Sequence, residues 1–241
     1  MADAVRDPLP RILSLDDVRF VGPEAEEQYR ADAREIEARH ARQTVAAVDE
    51  LRRRYSTPVF GEMRVWDLVE MLASCIDESD QRMFGVSQQV HVLQVLEGME
   101  HDGIDDPDLV LAALVHDLGK VLLLAGEDQA NVVGFNQPIG AFEPGVGLAQ
   151  CVLQWNHDEF AYSRLRGHVP DHVAWLVRYH SIDPVTCEPL MDATDRELAA
   201  RYLRVFMQYD HGTKTPYHVP PRPIGDYRDI VEDAFPKPIP F

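Results

Sequence analysis

Cysteine, positive charge and long apolar runs are all in short supply, and each shortage removes a class of protein. The three cysteines, Cys75, Cys151 and Cys187, are an odd, widely spaced set with no Cys-x-x-Cys pair. Neither a disulfide scaffold nor a zinc ribbon is expected, and a reducing cytoplasm suits such a set. The opening residues Met1 to Pro8 lack the apolar core of an export signal, and the apolar stretch Leu109 to Val115 is far too short to span a bilayer. The expected location is therefore cytoplasmic, with no membrane partner. Lys and Arg number 23 against 41 Asp and Glu, a formal net charge of -18. No basic stripe is available to neutralise phosphates, which excludes nucleic acid as a partner.

β-alternation is also missing, apart from a short stretch around Val132-Val133, and there is no internal repeat or low-complexity block. With 241 residues and 45% hydrophobic content the chain can bury a substantial core. We expect a single all-α domain over residues 1–241, monomeric, with an N-terminal arm (1–22) and a Pro-rich tail (216–241). Pro23 opens a charged helix running to about Tyr55, and a second helix covers about Arg64 to Ile76. Val86, Val90, Leu93 and Met99 mark a third, and Pro107 starts a nearly all-apolar one. Leu148 to Trp155 forms an amphipathic segment ending near His157; Pro170 opens the next helix, and Asp195 to Tyr209 forms the last long one. The tail is expected to wrap in extended form, with room for a short helix near Asp226 to Asp233.

What stands out is His116-Asp117, at the end of Leu109-Val-Leu-Ala-Ala-Leu-Val-His-Asp-Leu-Gly-Lys120. An apolar helix has no structural use for two adjacent ionisable groups, and their burial must be compensated. A metal ion does so: neutral imidazole supplies one bond, and a carboxylate supplies another or bridges two cations. His91 aligns with Val95 and Met99, His180 with Val173 and Leu176, and Asp210 with Leu203 and Phe206, so each points inward; His157 lies at a helix end. The absence of thiolates from this set argues against a structural zinc site.

The order His91, His116-Asp117, His157, His180, Asp210 resembles the H…HD…H…H…D pattern of the HD-domain superfamily. The segments Asp77-Glu-Ser-Asp80, His116-Asp-Leu-Gly-Lys120, Val132-Val-Gly134, Glu143-Pro-Gly-Val-Gly-Leu148, Trp155-Asn-His-Asp-Glu159, Arg178-Tyr-His-Ser181 and Tyr209-Asp-His-Gly-Thr-Lys214 resemble, in order, segments of myo-inositol oxygenase. The likeness runs from about Gln43 into the tail. It implies an HD-type helical bundle around two iron ions in the mixed-valent Fe(II)/Fe(III) state, with O2 as co-substrate. One iron would be held by His91, His116, Asp117 and Asp210, the other by Asp117, His157 and His180, with Asp117 bridging. It also implies oxidative C–C cleavage of a small hydroxylated molecule. Lys120 and Lys214 would meet substrate hydroxyls, as would Asp77, Ser79 and Ser181, and Arg19 matches an N-terminal arginine. Lys120 and Asp117 are the residues assigned to catalysis.

Two departures from the family pattern bear on the substrate. Where the family places an aspartate after Val-Val-Gly, this chain has Phe135 and then Asn136, both counted here as substrate-facing. The family's longer excursion is contracted to Gln137 to Phe142. The iron chemistry is therefore expected with an altered substrate. Rival readings are a metal-dependent phosphohydrolase, which needs a cationic phosphate clamp, an oxygenase of a hydroxylated phosphonate or amino alcohol, and a non-catalytic metal-binding module. His40, His101, His168, His172, His211 and His218 lie in charged or loop contexts and are read as surface groups or supports of the site.

Overall fold

The computed structural model describes residues 23–241, so Arg19 and the arm 1–22 lie outside the described residues. The architecture is all-α. Helix α1 (Pro23–Ala41) is followed by α2 (Val45–Arg54) rather than continuing to Tyr55 as one helix. The break has a tertiary cause. Thr44 caps α2 by accepting from the Ala47 amide, while the Gln43 side chain donates to the carbonyls of Ala130 and Trp155 and accepts from the Trp155 amide. Those bonds to distant backbone outweigh the local helical preference.

Helix α3 (Val65–Met71) tightens into a 3-10 turn, Leu72–Ser74, ahead of the loop that carries Asp77 and Ser79. Helix α4 (Gln88–His101) starts at the Ser87 cap, and α5 (Pro107–Val115) starts at the Asp106 cap with Pro107 in its first turn. Leu109, Leu111, Ala112, Ala113, Leu114 and Val115 are all buried, which makes α5 central. Full burial of a Leu or Val stabilises by about 1.5–3 kcal/mol. This packing is what holds the ionisable pair at the end of α5. The chain then tightens into a 3-10 segment, Leu118–Ala125.

Around Val132 the structure has a single helical turn, α6 (Gln129–Val132), where sequence patterning admitted a strand. The stretch Leu148 to Trp155 is not an amphipathic helix: only Leu148–Gln150 turns, and His157 opens a helix instead of ending one. The reason is Asn156, whose side chain accepts from the Asp158 amide and caps α7 (His157–Leu165). Then come α8 (Asp171–Tyr179), α9 (Pro184–Cys187) and α10 (Ala193–Leu198). A π-helical turn, Ala199–Leu203, joins α10 to α11 (Arg204–Gly212), and α12 is Arg228–Ala234. The tail contributes β2 (Ile239–Pro240), antiparallel to β1 (Glu62–Met63), with Glu62 opposite Pro240. This small pair was not anticipated from alternation, and two residues are too few to show any. Phe241 is fully buried against Phe160, which anchors the tail.

Candidate metal centre

All six sequence-proposed ligands converge in the middle of the bundle, and each is buried. His91 projects from α4, His116 and Asp117 from the end of α5, His157 from the first turn of α7, His180 from the end of α8, and Asp210 from α11. The imidazoles form two pairs. His91 and His116 bring their Nε2 atoms to 3.4 Å, and His157 and His180 bring theirs to 3.3 Å. Asp117 stands between them: Oδ2 is 3.3 Å from His116 Nε2 and 3.7 Å from His91 Nε2, while Oδ1 is 3.1 Å from His157 Nε2 and 3.7 Å from His180 Nε2. Asp210 Oδ1 lies 2.9 Å from His91 Nε2 on the first side.

The opposite ring nitrogens settle what these atoms are suited to hold. His116 Nδ1 donates to the Ala113 carbonyl at 2.9 Å, His157 Nδ1 to that of Val132 at 2.7 Å, and His180 Nδ1 to that of Val177 at 2.9 Å. In the neutral rings each Nε2 is then a bare lone pair. With both rings neutral, the Nε2 lone pairs of His157 and His180 would face each other at 3.3 Å, an arrangement that either a proton on His157 or a cation between the rings relieves. In the other pair His91 Nδ1 has no partner among the described residues and its Nε2 meets Asp210 Oδ1; two imidazole pairs flanking one carboxylate are a donor set that could hold two cations.

Electrostatics agrees with that donor set. Burial works to raise the Asp117 carboxyl, but His116 and Lys120 together hold it well below the ordinary carboxylate range. Asp210 is likewise depressed: Lys214 and His91 outweigh its burial. Burial pushes His91 down to about 4, assisted by Lys214. His157 is pushed up to about 9, because Asp158 and Asp117 overcome its burial. The two carboxylates are thus held charged at neutral pH, and His157 holds its proton there.

The centre opens on a cavity of about 280 Å³, at the small end of ligand pockets. Asp77, Ser79, Lys120, Phe135, Ser181 and Lys214 are among the residues that line it. Lys120 Nζ is 2.8 Å from Gln88 Oε1, 3.0 Å from Asp77 Oδ2 and 3.2 Å from Asp117. Lys214 Nζ is 2.9 Å from Asp80 Oδ2. Phe135 is half exposed at the rim, its ring edge-on to His211. Asn136 corrects its assignment as a substrate contact. It is buried outside the cavity lining, where its amide donates to Asn156 Oδ1 and its backbone joins Ser181 and Asp183.

Sequence reading passed over several residues. His40, read as either a surface group or a support, is buried and supports the centre: it packs on Gly134, where a Cβ would meet its ring at 2.8 Å. Gly119 lets the turn after Asp117 press on α7, since a Cβ there would lie 2.1 Å from the His157 carbonyl oxygen. Asp158 is fully buried and holds Ser181 through the amide at 3.2 Å and the hydroxyl at 2.5 Å. A signal for it existed, because His157-Asp158 repeats the dipeptide His116-Asp117.

The fold and site together define a class: an all-α bundle whose buried imidazoles and carboxylates open on a small polar cavity. Within it, the chain belongs to the myo-inositol oxygenase family, whose model, described as Myo-inositol oxygenase, matches residues 32–141 and 135–241. It is 29% identical over 258 residues to a probable inositol oxygenase of Oryza sativa subsp. japonica, covering 90% of this chain and 83% of the relative. It is 30% identical to inositol oxygenase 2 of Arabidopsis thaliana, covering 82% and 74% respectively. Inositol oxygenase of Sus scrofa is 29% identical over 60% of this chain and 63% of its own length. No helix among the described residues is long and apolar enough to cross a membrane.

Proposed function

We propose that this chain is a diiron oxygenase that uses O2 to cleave a C–C bond of a small hydroxylated molecule, a polyol or a relative of one. The observation that carries the reading is Asp117 with one oxygen toward each pair of facing imidazoles. His91, His116, Asp117 and Asp210 would hold one iron; Asp117, His157 and His180 would hold the other. When bound, an Fe(II)/Fe(III) pair supplies the Lewis acidity and the redox capacity that a reaction with O2 needs.

The remaining work falls to side chains. Lys120 fixes Asp117 through contacts with both carboxylate oxygens and presents a cation at the cavity floor. A substrate hydroxyl can take the place of one of its acceptors. Asp77 is held by the Ser79 amide and hydroxyl at 2.9 and 2.7 Å, which fixes an acceptor on the same floor. Ser181 gives its hydroxyl proton to Asp158 and accepts from the Asn156 amide, which leaves one lone pair for a group in the cavity. Burial of these groups excludes bulk water and strengthens each contact.

The phosphohydrolase reading is weaker, because both lysines assigned to a phosphate clamp are already paired with carboxylates. Lys120 is engaged by Asp77 and Asp117, and Lys214 by Asp80. Phe135 also places an apolar surface at the rim where a polyhydroxylated ring would want an acceptor, which supports a substrate other than myo-inositol itself. An apolar wall that meets a substrate hydroxyl discriminates by about 10²-fold, enough to shift preference among hydroxylated molecules. The test is iron-loaded protein screened for O2 uptake against cyclitols, sugars, amino alcohols and phosphonates. Uptake with one hydroxylated class supports the proposal; phosphate release without O2 uptake replaces it. Efficient, saturable glucuronate formation from myo-inositol removes the altered-substrate part alone.

A further inference from the structure

We propose that Tyr29 is a positioning residue: its hydroxyl fixes the loop whose two aspartates hold the two cavity lysines. Its part in the reaction rests on the oxygenase reading above, whereas the geometry stands without it. On α1, Tyr29, Ala33, Ile36 and His40 recur at helical spacing and are buried. Tyr29 shares its one hydroxyl proton between the backbone carbonyls of Asp77 at 3.0 Å and Asp80 at 3.2 Å, and its oxygen accepts from the Gly85 amide at 3.2 Å. Burial, with the carboxylates of Asp77 and Asp80 close by, pushes this hydroxyl well above the ordinary phenol range, so it keeps the proton.

Asp77 and Asp80 are held alike. One oxygen of each is tied inside the loop: Asp77 Oδ1 by the amide and hydroxyl of Ser79, Asp80 Oδ1 by the amides of Arg82 and Met83 at 2.9 and 3.2 Å. The other oxygen meets a lysine, Asp77 Oδ2 at 3.0 Å from Lys120 Nζ and Asp80 Oδ2 at 2.9 Å from Lys214 Nζ. A carboxylate tied to its own loop moves with that loop, so one phenol sets the place of both ammonium groups. The loop does not keep its shape unaided. Phe84 has a φ of 46°, a left-handed conformation that a bulky residue adopts only when its surroundings enforce it. The Tyr29 ring packs on that of Phe84 with centroids 4.6 Å apart while its hydroxyl takes the next amide, so one side chain supplies both restraints. Tyr29 is not part of the cavity lining and acts only through the two aspartates.

The chain has three lysines, Lys120, Lys214 and the exposed Lys237, which makes amine labelling a direct readout that needs no substrate. Wild type and Tyr29→Phe, which keeps the ring on Phe84, are compared with Tyr227→Phe, which removes a buried hydroxyl bonded to Glu100 at 2.8 Å in the last turn of α4. Each is shown folded by circular dichroism and acetylated with trace acetic anhydride, and mass spectrometry gives the labelling of Lys214 and Lys120 relative to Lys237. Tyr29→Phe should raise the Lys214 ratio roughly 3- to 10-fold, the factor that one net hydrogen bond corresponds to. Lys120 should gain less, because it keeps Gln88 and Asp117, and Tyr227→Phe should change neither. Unchanged ratios in Tyr29→Phe overturn the proposal, as does an equal rise in Tyr227→Phe. O2 uptake by the iron-loaded proteins then separates KM from kcat, with whichever cyclitol, sugar, amino alcohol or phosphonate wild type uses fastest. A raised KM with kcat and iron per chain unchanged is expected of Tyr29→Phe, and a lowered kcat at constant KM overturns the positioning role. No uptake with any of the four classes removes the oxygenase reading and the part of Tyr29 in it, while the labelling ratios still decide whether Tyr29 sets the lysines.

Discussion

His157 directs Nδ1 to the Val132 carbonyl at 2.7 Å, and this one bond decides which edge of the ring is left for a cation. Val132 belongs to α6, which rests on the loop pinned by Gln43, so the ring is oriented by contacts far from it in sequence. Orientation through the second ring nitrogen is how proteins set the tautomer of a metal-binding imidazole.

Removing metal should therefore lower stability in a way that tracks ligand geometry. An ion present at about 100 times its dissociation constant stabilises by about 2.7 kcal/mol, and a domain of this size gains roughly 2–4 °C per kcal/mol. Melting of chelated against Fe(II)-loaded protein should differ by roughly 5–10 °C. Asp117→Asn, which alters the bridge, should impair both ions, and Asp210→Asn only the one near His91. Equal metal counts for those two variants would speak against a bridging Asp117.

The pH dependence of the metal-free protein follows from His157. Its folded pKa, about 9, lies above its ordinary value of 6.5, because Asp158 and Asp117 outweigh burial. The folded state thus binds the extra proton between pH 6.5 and 9. That contribution is complete below pH 6.5 and lost as pH rises through 9. His91 behaves oppositely: with its folded pKa near 4, its contribution is present above pH 6.5 and lost as pH falls toward 4. Metal affinity moves against the first trend, since binding needs His157 deprotonated. Urea midpoints of the chelated protein should fall from pH 7 to 9 while Fe(II) affinity rises over the same interval. Parallel movement of the two would refute the assignment of His157.

Gly119→Ala tests the contact between the α5 end and α7. The new methyl would meet the backbone of His157 at 2.1 to 2.8 Å, and backbone has no rotamer to escape through. Overpacking of this kind costs typically 1–3 kcal/mol. We expect a lower urea midpoint together with weaker binding of the ion near His157, whereas a variant as stable as wild type with full metal content would show the contact to be slack.

Much of this centre was legible in sequence because burial of charge is conspicuous. His116-Asp117 interrupts a run of apolar residues, and His91, His180 and Asp210 share helical spacing with core residues. The less visible parts depend on contacts between distant segments. The split between α1 and α2 comes from Gln43 reaching residues 130 and 155, and Asn156 turns an expected helix end into a helix start. Asn136 looked like a neighbour of the substrate because it follows Phe135, but the chain turns there and buries its amide against Asn156.

Phe135 is where substrate preference can be moved with least harm to the fold. Its ring is 52% exposed and touches His211 edge-on with centroids 5.5 Å apart, so little core packing depends on it. A surface change of this sort usually alters stability by no more than about 0.5 kcal/mol. Phe135→Asp would put an anionic acceptor at the cavity rim, and a hydrogen bond to a charged group contributes about 1.5–3 kcal/mol. That corresponds to roughly a 10- to 100-fold gain in kcat/KM for a polyhydroxylated ring over the wild-type value. Metal content should not change, because residue 135 lines the mouth and none of its atoms belongs to the donor cluster. Steady-state O2 uptake with myo-inositol, compared between wild type and Phe135→Asp, reads the effect directly. An unchanged ratio would mean that the rim does not read hydroxyls and that the floor, Asp77, Lys120 and Ser181, sets the preference.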